Sequence, residues 1–327
     1  MIQKKLPLAL KGMAMGIAEV IPGVSGGTIA FITGIYEELI NTITAFGPEG
    51  YAAYKEGGIS NLWKTINGEF LVYLMGGMVF GAIIGVFGIT YLLDHYPEPL
   101  WGFFFGLIIA SSIYMAKQIE KWDIMKILAI IIGAIVAYGI TIISPAEGST
   151  SPLYIFISGV IAISALILPG ISGSFILLLM GMYTIIIPTI KQFLKTQDTA
   201  SFIVLAIFGS GCLVGILGFS RVLKWLFSKY KEVSFALLTG FLIGALNKIW
   251  PWRNVSQILD KESGNIMIVK DLTNFHSLDP ENIKILQEIN VMPTAYLMAA
   301  PNTIVTIISI IIGFCAVFLL ERLQIKK

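Results

Sequence analysis

The chain has 327 residues, 56% hydrophobic and only 13% charged, with a formal net charge of +2. Soluble domains carry about a quarter charged residues, so this composition excludes an ordinary soluble enzyme, and its near-neutral balance offers no basic surface for nucleic acid. Two cysteines inside apolar runs, Cys212 and Cys315, and two distant histidines, His95 and His276, give neither a disulfide framework nor a zinc site, so no metal or other cofactor is expected.

The N-terminal segment carries Lys4, Lys5 and Lys11 but no apolar core followed by a small-residue cleavage site, so a cleaved signal peptide is not expected. The first turn signal follows at Ile21-Pro22-Gly23-Val24-Ser25-Gly26-Gly27-Thr28. Proline removes a backbone donor and disfavours helix in the residue before it. Glycine permits turn dihedrals, and serine can cap the helix that follows. After a polar loop over Gly47–Gly68, three charge-free runs, Phe70–Leu93, Leu100–Ala116 and Ile127–Ala146, read as membrane helices.

Gly148 to Ile190 is also uncharged. As one helix it would extend about 65 Å, twice the hydrocarbon thickness, so it must turn. The place is Leu168-Pro169-Gly170-Ile171-Ser172-Gly173-Ser174. Three more apolar runs follow, Thr199–Ser220, Val233–Asn247 and Ile289–Leu320, with a polar insertion over Ile249–Met298 that suits a small amphipathic cap. Trp101, Trp122, Trp225, Trp250 and Trp252 read as interfacial belt residues.

The two turn signals match without a gap. Pro22, Gly23, Ser25, Gly26, Gly34 and Tyr36 precede Pro169, Gly170, Ser172, Gly173, Gly181 and Tyr183 by 147 positions. Gly77, Gly81, Tyr96 and Gly106 precede Gly211, Gly215, Tyr230 and Gly240 by 134, the difference matching the shorter Lys191–Ala200 loop. The expected fold is therefore an all-α polytopic membrane protein of two repeats, 5–147 and 150–327. Each is a re-entrant helical hairpin, turning at 22–27 or 169–174, plus three transmembrane helices. Three crossings per half make the repeats inverted. With both termini cytoplasmic, most of the 22 Lys and Arg fall inside, including Lys117, Lys121, Lys126, Arg221, Lys326 and Lys327.

Inverted repeats with broken helices place a binding site where helix ends meet near the midplane. Ser25-Gly26-Gly27-Thr28 and Ser172-Gly173-Ser174 open helices whose free N–H groups and positive dipole ends suit a phosphate. Close packing of small residues is the structural alternative. Glu19, with Leu166 as its counterpart, is an intramembrane carboxyl suited to proton coupling or to orienting the turn. Lys11 and Arg221 are possible charge partners of the phosphate, or cytoplasmic anchors.

Ala18-Glu19-Val20-Ile21-Pro22-Gly23-Val24-Ser25-Gly26-Gly27-Thr28, with Leu168-Pro169-Gly170-Ile171-Ser172-Gly173, resembles the polyprenyl-phosphate transporters once catalogued as domain-of-unknown-function family 368. The resemblance implies a flippase of the bacterial plasma membrane that returns undecaprenyl phosphate from the outer to the inner leaflet for cell-wall synthesis. An undecaprenyl-diphosphate phosphatase is the alternative. That family has a Pro-Gly-x-Ser-Arg-Ser motif, whose Arg position here holds Gly26 and Gly173, and no acidic metal cluster replaces it. A transporter of a small soluble anion would instead need a site closed to lipid.

Overall fold

A backbone in hydrocarbon must satisfy its own hydrogen bonds, so long charge-free runs become helices. The computed structural model describes residues 2–21, 24–143, 145–260, 266–269 and 282–325. Among them the first half holds α1 (Ile2–Glu19), α2 (Gly26–Ile32), α3 (Tyr36–Thr44), α4 (Pro48–Thr65), α5 (Gly68–His95), α6 (Pro97–Ala116) and α7 (Ile124–Ile142). The second holds α8 (Pro152–Ile167), α9 (Gly173–Leu179), α10 (Tyr183–Thr196), α11 (Thr199–Lys229) and α12 (Lys231–Ala245). Strands β1 (Arg253–Asp260), β2 (Ile266–Ile268) and β3 (Ile283–Asn290) then precede α13 (Thr303–Ile325). Four helices, α5, α6, α7 and α11, are long and apolar enough to cross a membrane; a fifth candidate span is α9 with α10, bent by 110°. The protein is a multi-pass membrane protein.

Four helix pairs dominate the packing: α1 on α5, α8 on α11, α6 on α13 and α7 on α12. Each pair is parallel and closes on glycines. Gly77 and Gly81 of α5 lie against the carbonyls of Ala9 and Met13, as Gly211 and Gly215 of α11 lie against those of Phe156 and Val160. A side chain at any of these positions would meet backbone. The opposite faces carry large apolar residues such as Phe80, Ile83 and Phe87, exposed for lipid. This arrangement, small residues inward and large ones outward, is what helix association without a water-driven core requires.

The repeated residues adopt repeated backbone. Tyr96 (φ −140, ψ 51) and Tyr230 (φ −134, ψ 48) both join a long helix to the next. Gly34 (φ +69) and Gly181 (φ +68) both end a seven-residue helix. Ile35 N–H reaches Ala30 O and Met182 N–H reaches Leu177 O, a Schellman closure that needs the left-handed residue. The sequence reading expects one helix to follow each turn. The helix breaks a second time because those glycines stop it with no proline to flag the place.

Polar connections gather at two ends. At one, Lys5 pairs with Glu69 (3.3 Å), Lys231 with Glu37 (2.7 Å), Lys224 with Glu49 (3.6 Å) and Lys126 with Glu232 (2.6 Å). At the other, buried Glu98 accepts from Tyr296 Oη (2.7 Å) and Asn302 Nδ2 (3.2 Å), tying the α5–α6 turn to the insertion.

Three expectations need correction. The fold is not all-α: β1 pairs antiparallel with β2 and β3 to give a sheet of order β2-β1-β3. Val255 and Ile258 bury from β1, so tertiary packing, not a helical period, sets this segment. The Gly47–Gly68 stretch is not a loop but α4, kinked at Gly57–Gly58, where Gly58 has φ +65. Trp101 and Trp252 are not belt residues; both are buried, Trp252 donating to Pro301 O (2.7 Å). Trp122 and Trp225 are exposed as a belt residue would be.

Candidate functional site

The first turn is built by short oxygen side chains. Ser25 has the extended backbone of an N-cap (φ −114, ψ 136), and its Oγ accepts from Gly27 N–H at 3.1 Å. The same hydroxyl donates to Leu166 O at 3.1 Å, across to the second turn. Gly170 N–H donates to Thr28 Oγ1 at 3.0 Å, and Tyr36 Oη donates to Ile167 O at 3.1 Å. Three hydrogen bonds thus join the two motifs, each between a side chain of the first and the backbone of the second. Ser25, Thr28 and Tyr36 are all buried. Pro22 and Gly23 lie outside the described residues.

Glu19 closes α1 and reaches the start of α2. Its Oε1 accepts from Gly26 N–H at 2.7 Å, a distance typical of a charge-assisted bond. A Cβ on Gly26 would lie 2.6 Å from that oxygen, so only glycine admits the carboxyl here. Every amide of the first turn of α2 from Gly26 to Thr28 therefore has an internal acceptor: Glu19, Ser25 Oγ and Ser25 O.

The second motif differs. Pro169 is buried, and Gly170 takes φ +85, open to glycine alone. Ser172 and Ser174 hydroxyls lie 2.9 Å apart. Leu166 stands where Glu19 stands in the first motif, its side chain 3.1 Å from a Cβ built on Gly173. Leucine cannot accept, and among the described residues nothing accepts from the amides of Gly173, Ser174 or Phe175. Ser172 and Gly173 are buried while Ser174 is exposed. The two motifs thus meet, but one is closed on itself and the other is open.

Lys11 and Arg221 lie elsewhere. Lys11 Nζ donates to Thr33 O at 2.6 Å, at the C-terminal end of α2, where a cation complements the dipole. It also edges an apolar cavity of about 880 Å³ between α1, α2, α6 and α13, with Ala14, Ile17, Phe104 and Val317 among its walls. Arg221 Nη1 donates to Leu217 O at 2.8 Å, beside Gly47 at the α4 end. Tyr36 is the member of the site that motif reasoning passed over. Its match with Tyr183 is visible in the sequence, but its reach to Ile167 is not.

Comparison with known proteins identifies a family. A family model described as undecaprenyl phosphate translocase-like matches residues 15–267. The chain is 46% identical over 244 residues to a polyprenyl-phosphate transporter of Vibrio cholerae, covering 75% of this chain and 77% of that one. It is 32% identical over 256 residues to a polyprenyl-phosphate transporter of Staphylococcus aureus, covering 74% of this chain and 85% of that one. No solved structure matches. The matched span contains both turn motifs and Glu19, and on this evidence the chain belongs to the undecaprenyl phosphate translocase-like family.

Proposed function

We propose that the protein is a flippase that moves undecaprenyl phosphate, or a related polyprenyl phosphate, from the outer to the inner leaflet of the bacterial plasma membrane. The observation that carries the reading is the meeting of the two Ser-Gly motifs, joined through Ser25, Thr28 and Tyr36. In a family whose relatives are named for this lipid, two helix starts at one locus offer its phosphate two alternative seats. A charged head crosses hydrocarbon at high cost while an isoprenoid tail does not. The protein therefore needs to shelter only the head, at the Gly26 amide once Glu19 releases it and at the Gly173–Ser174 amides, with the tail trailing along apolar walls such as the cavity beside Lys11.

The two halves act as inverted repeats in this account. The directions of equivalent helices support it. α5 ends at the Glu98 end, and α11 ends at the opposite one, where Lys224 meets Glu49. We place the Lys-rich end and both termini in the cytoplasm and the sheet outside. Glu19 is the coupling group. Inward movement of an anion opposes a negative-inside potential at about 2.3 kcal/mol per charge per 100 mV. A proton arriving with the phosphate offsets that cost, and protonation of Glu19 loosens its hold on Gly26 N–H and frees the seat.

The test is reconstitution. Proteoliposomes holding the purified protein should move a fluorescent polyprenyl phosphate between leaflets, faster with a proton gradient than without, and should release no inorganic phosphate from a polyprenyl diphosphate. Phosphate release at a comparable rate would replace the flippase with the phosphatase reading.

A further inference from the structure

A polar cavity of about 300 Å³ lies beneath the sheet, bounded by β3, the end of α7 and the flank of α9. Lys248, Arg253 and Glu288 line it together. One carboxylate oxygen serves both cations: Glu288 Oε2 is 2.8 Å from Arg253 Nη1 and 3.4 Å from Lys248 Nζ. Two positive charges share one negative charge, leaving the cluster a net +1. Arg253 is almost wholly enclosed, its side chain 9% exposed, and its guanidinium lies 4.4 Å from the centre of the Trp101 ring. Its Nε–H is buried and finds no acceptor among the described residues. Burial also pulls the Lys248 ammonium below its ordinary range. An enclosed guanidinium with a spare donor, sharing its one carboxylate with a second, partly exposed cation, is costly unless an anion joins it.

The position of the cavity identifies the anion. Lys248 Nζ sits 5.0 Å above the ring of Phe175, the residue after Ser174, so the cluster adjoins the motif whose amides are unfilled. Ile142 and Leu179 continue the wall as apolar surface. The space admits a phosphate head but not an isoprenoid tail, which must leave along that surface. We infer that this cavity is a docking site for a phosphate monoester, occupied by the lipid's head on the sheet side before it reaches α9. The inference rests on the reading that the substrate is a polyprenyl phosphate.

Charge decides the test. The full-length protein in neutral-lipid nanodiscs is titrated with a C15 isoprenyl monophosphate, the C15 alcohol and inorganic phosphate. Glu288→Gln raises the cluster from +1 to +2 and should tighten the monophosphate several-fold. Lys248→Gln should weaken it about tenfold, the worth of one hydrogen bond between charged groups, and Lys248→Arg should restore it. The alcohol should ignore all three substitutions. Unchanged or weaker binding of the monophosphate to a Glu288→Gln protein of parental thermal stability overturns the site. Inorganic phosphate that follows the charge series while the monophosphate does not overturns the lipid head as occupant. If the parent moves the lipid and Glu19→Gln alters its binding, yet the cluster variants do not, only the cavity fails. If the parent never binds the monophosphate, the flippase reading fails as well.

Discussion

Replacing Glu19 with glutamine separates the carboxyl's charge from its shape. The structure gives the magnitude. Glu19 holds Gly26 N–H at 2.7 Å, a bond to a charged group worth about 1.5–3 kcal/mol, where a neutral one is worth about 0.5–1.5. Glutamine keeps an acceptor in place but forfeits roughly 1 kcal/mol of this hold, about fivefold in the opening of the first turn. If phosphate and Glu19 compete for the same amide, Glu19→Gln should bind a polyprenyl phosphate about fivefold more tightly than the parent at neutral pH. The sign with pH follows. As pH falls and Glu19 takes a proton, the parent's binding should strengthen towards that of the variant, whose own curve keeps only the titration of the phosphate. The assay is binding in nanodiscs across pH 5 to 8, followed by flipping in proteoliposomes, where the variant should lose its response to a proton gradient. Weaker binding by Glu19→Gln, or parallel pH curves for the two proteins, would refute competition and leave Glu19 as a brace for the turn.

Gly26→Ala should fold, because its Cβ meets only the movable Glu19 carboxyl, whereas Gly173→Ala meets the Ala162 backbone carbonyl at 2.5 Å and should lower folded yield; size-exclusion profiles decide. Gly77→Ala should cost about 1–3 kcal/mol by overpacking α1 against α5, while Gly76→Ala, with open space around it, should leave the melting temperature unchanged. Single cysteines at Ser149 and Gln118, in a protein lacking Cys212 and Cys315, should label from opposite sides of the membrane; labelling from one side removes the inverted topology. Ser201 N–H holds the Asp198 carboxyl at the start of α11 down to about 2. An unfolded Asp titrates near 3.9, so the stability this group adds above about pH 4 should fade towards pH 2 in the parent, and fade less in Asp198→Asn.

The membrane class was readable because charge-free runs have few physical outcomes. The pairing of Gly77 with Gly211 and Gly81 with Gly215 was readable as register, and the structure gives the reason: each sits where one helix lies against the backbone of its neighbour. The break at Gly34 and Gly181 lies in the 147-position register of the turn motifs, yet a lone glycine in an apolar run signals packing as readily as a stop. The β1–β3 sheet was hidden because register shifts between Val255 and Ile258 break the strict alternation that marks a strand. Nothing in the sequence marks Lys248 and Arg253 as a site; the sheet register brings Glu288 to them. Glu19 was singled out as an intramembrane acid, but its partner Gly26 depends on the angle between α1 and α2, which no spacing encodes.

The most direct test of the account measures undecaprenyl phosphate leaflet by leaflet in cells that lack this protein and in cells where it is restored. The account predicts accumulation in the outer leaflet on loss, reversed when the parent protein is restored. An unchanged leaflet distribution, in cells where no other carrier of this lipid remains, would contradict it.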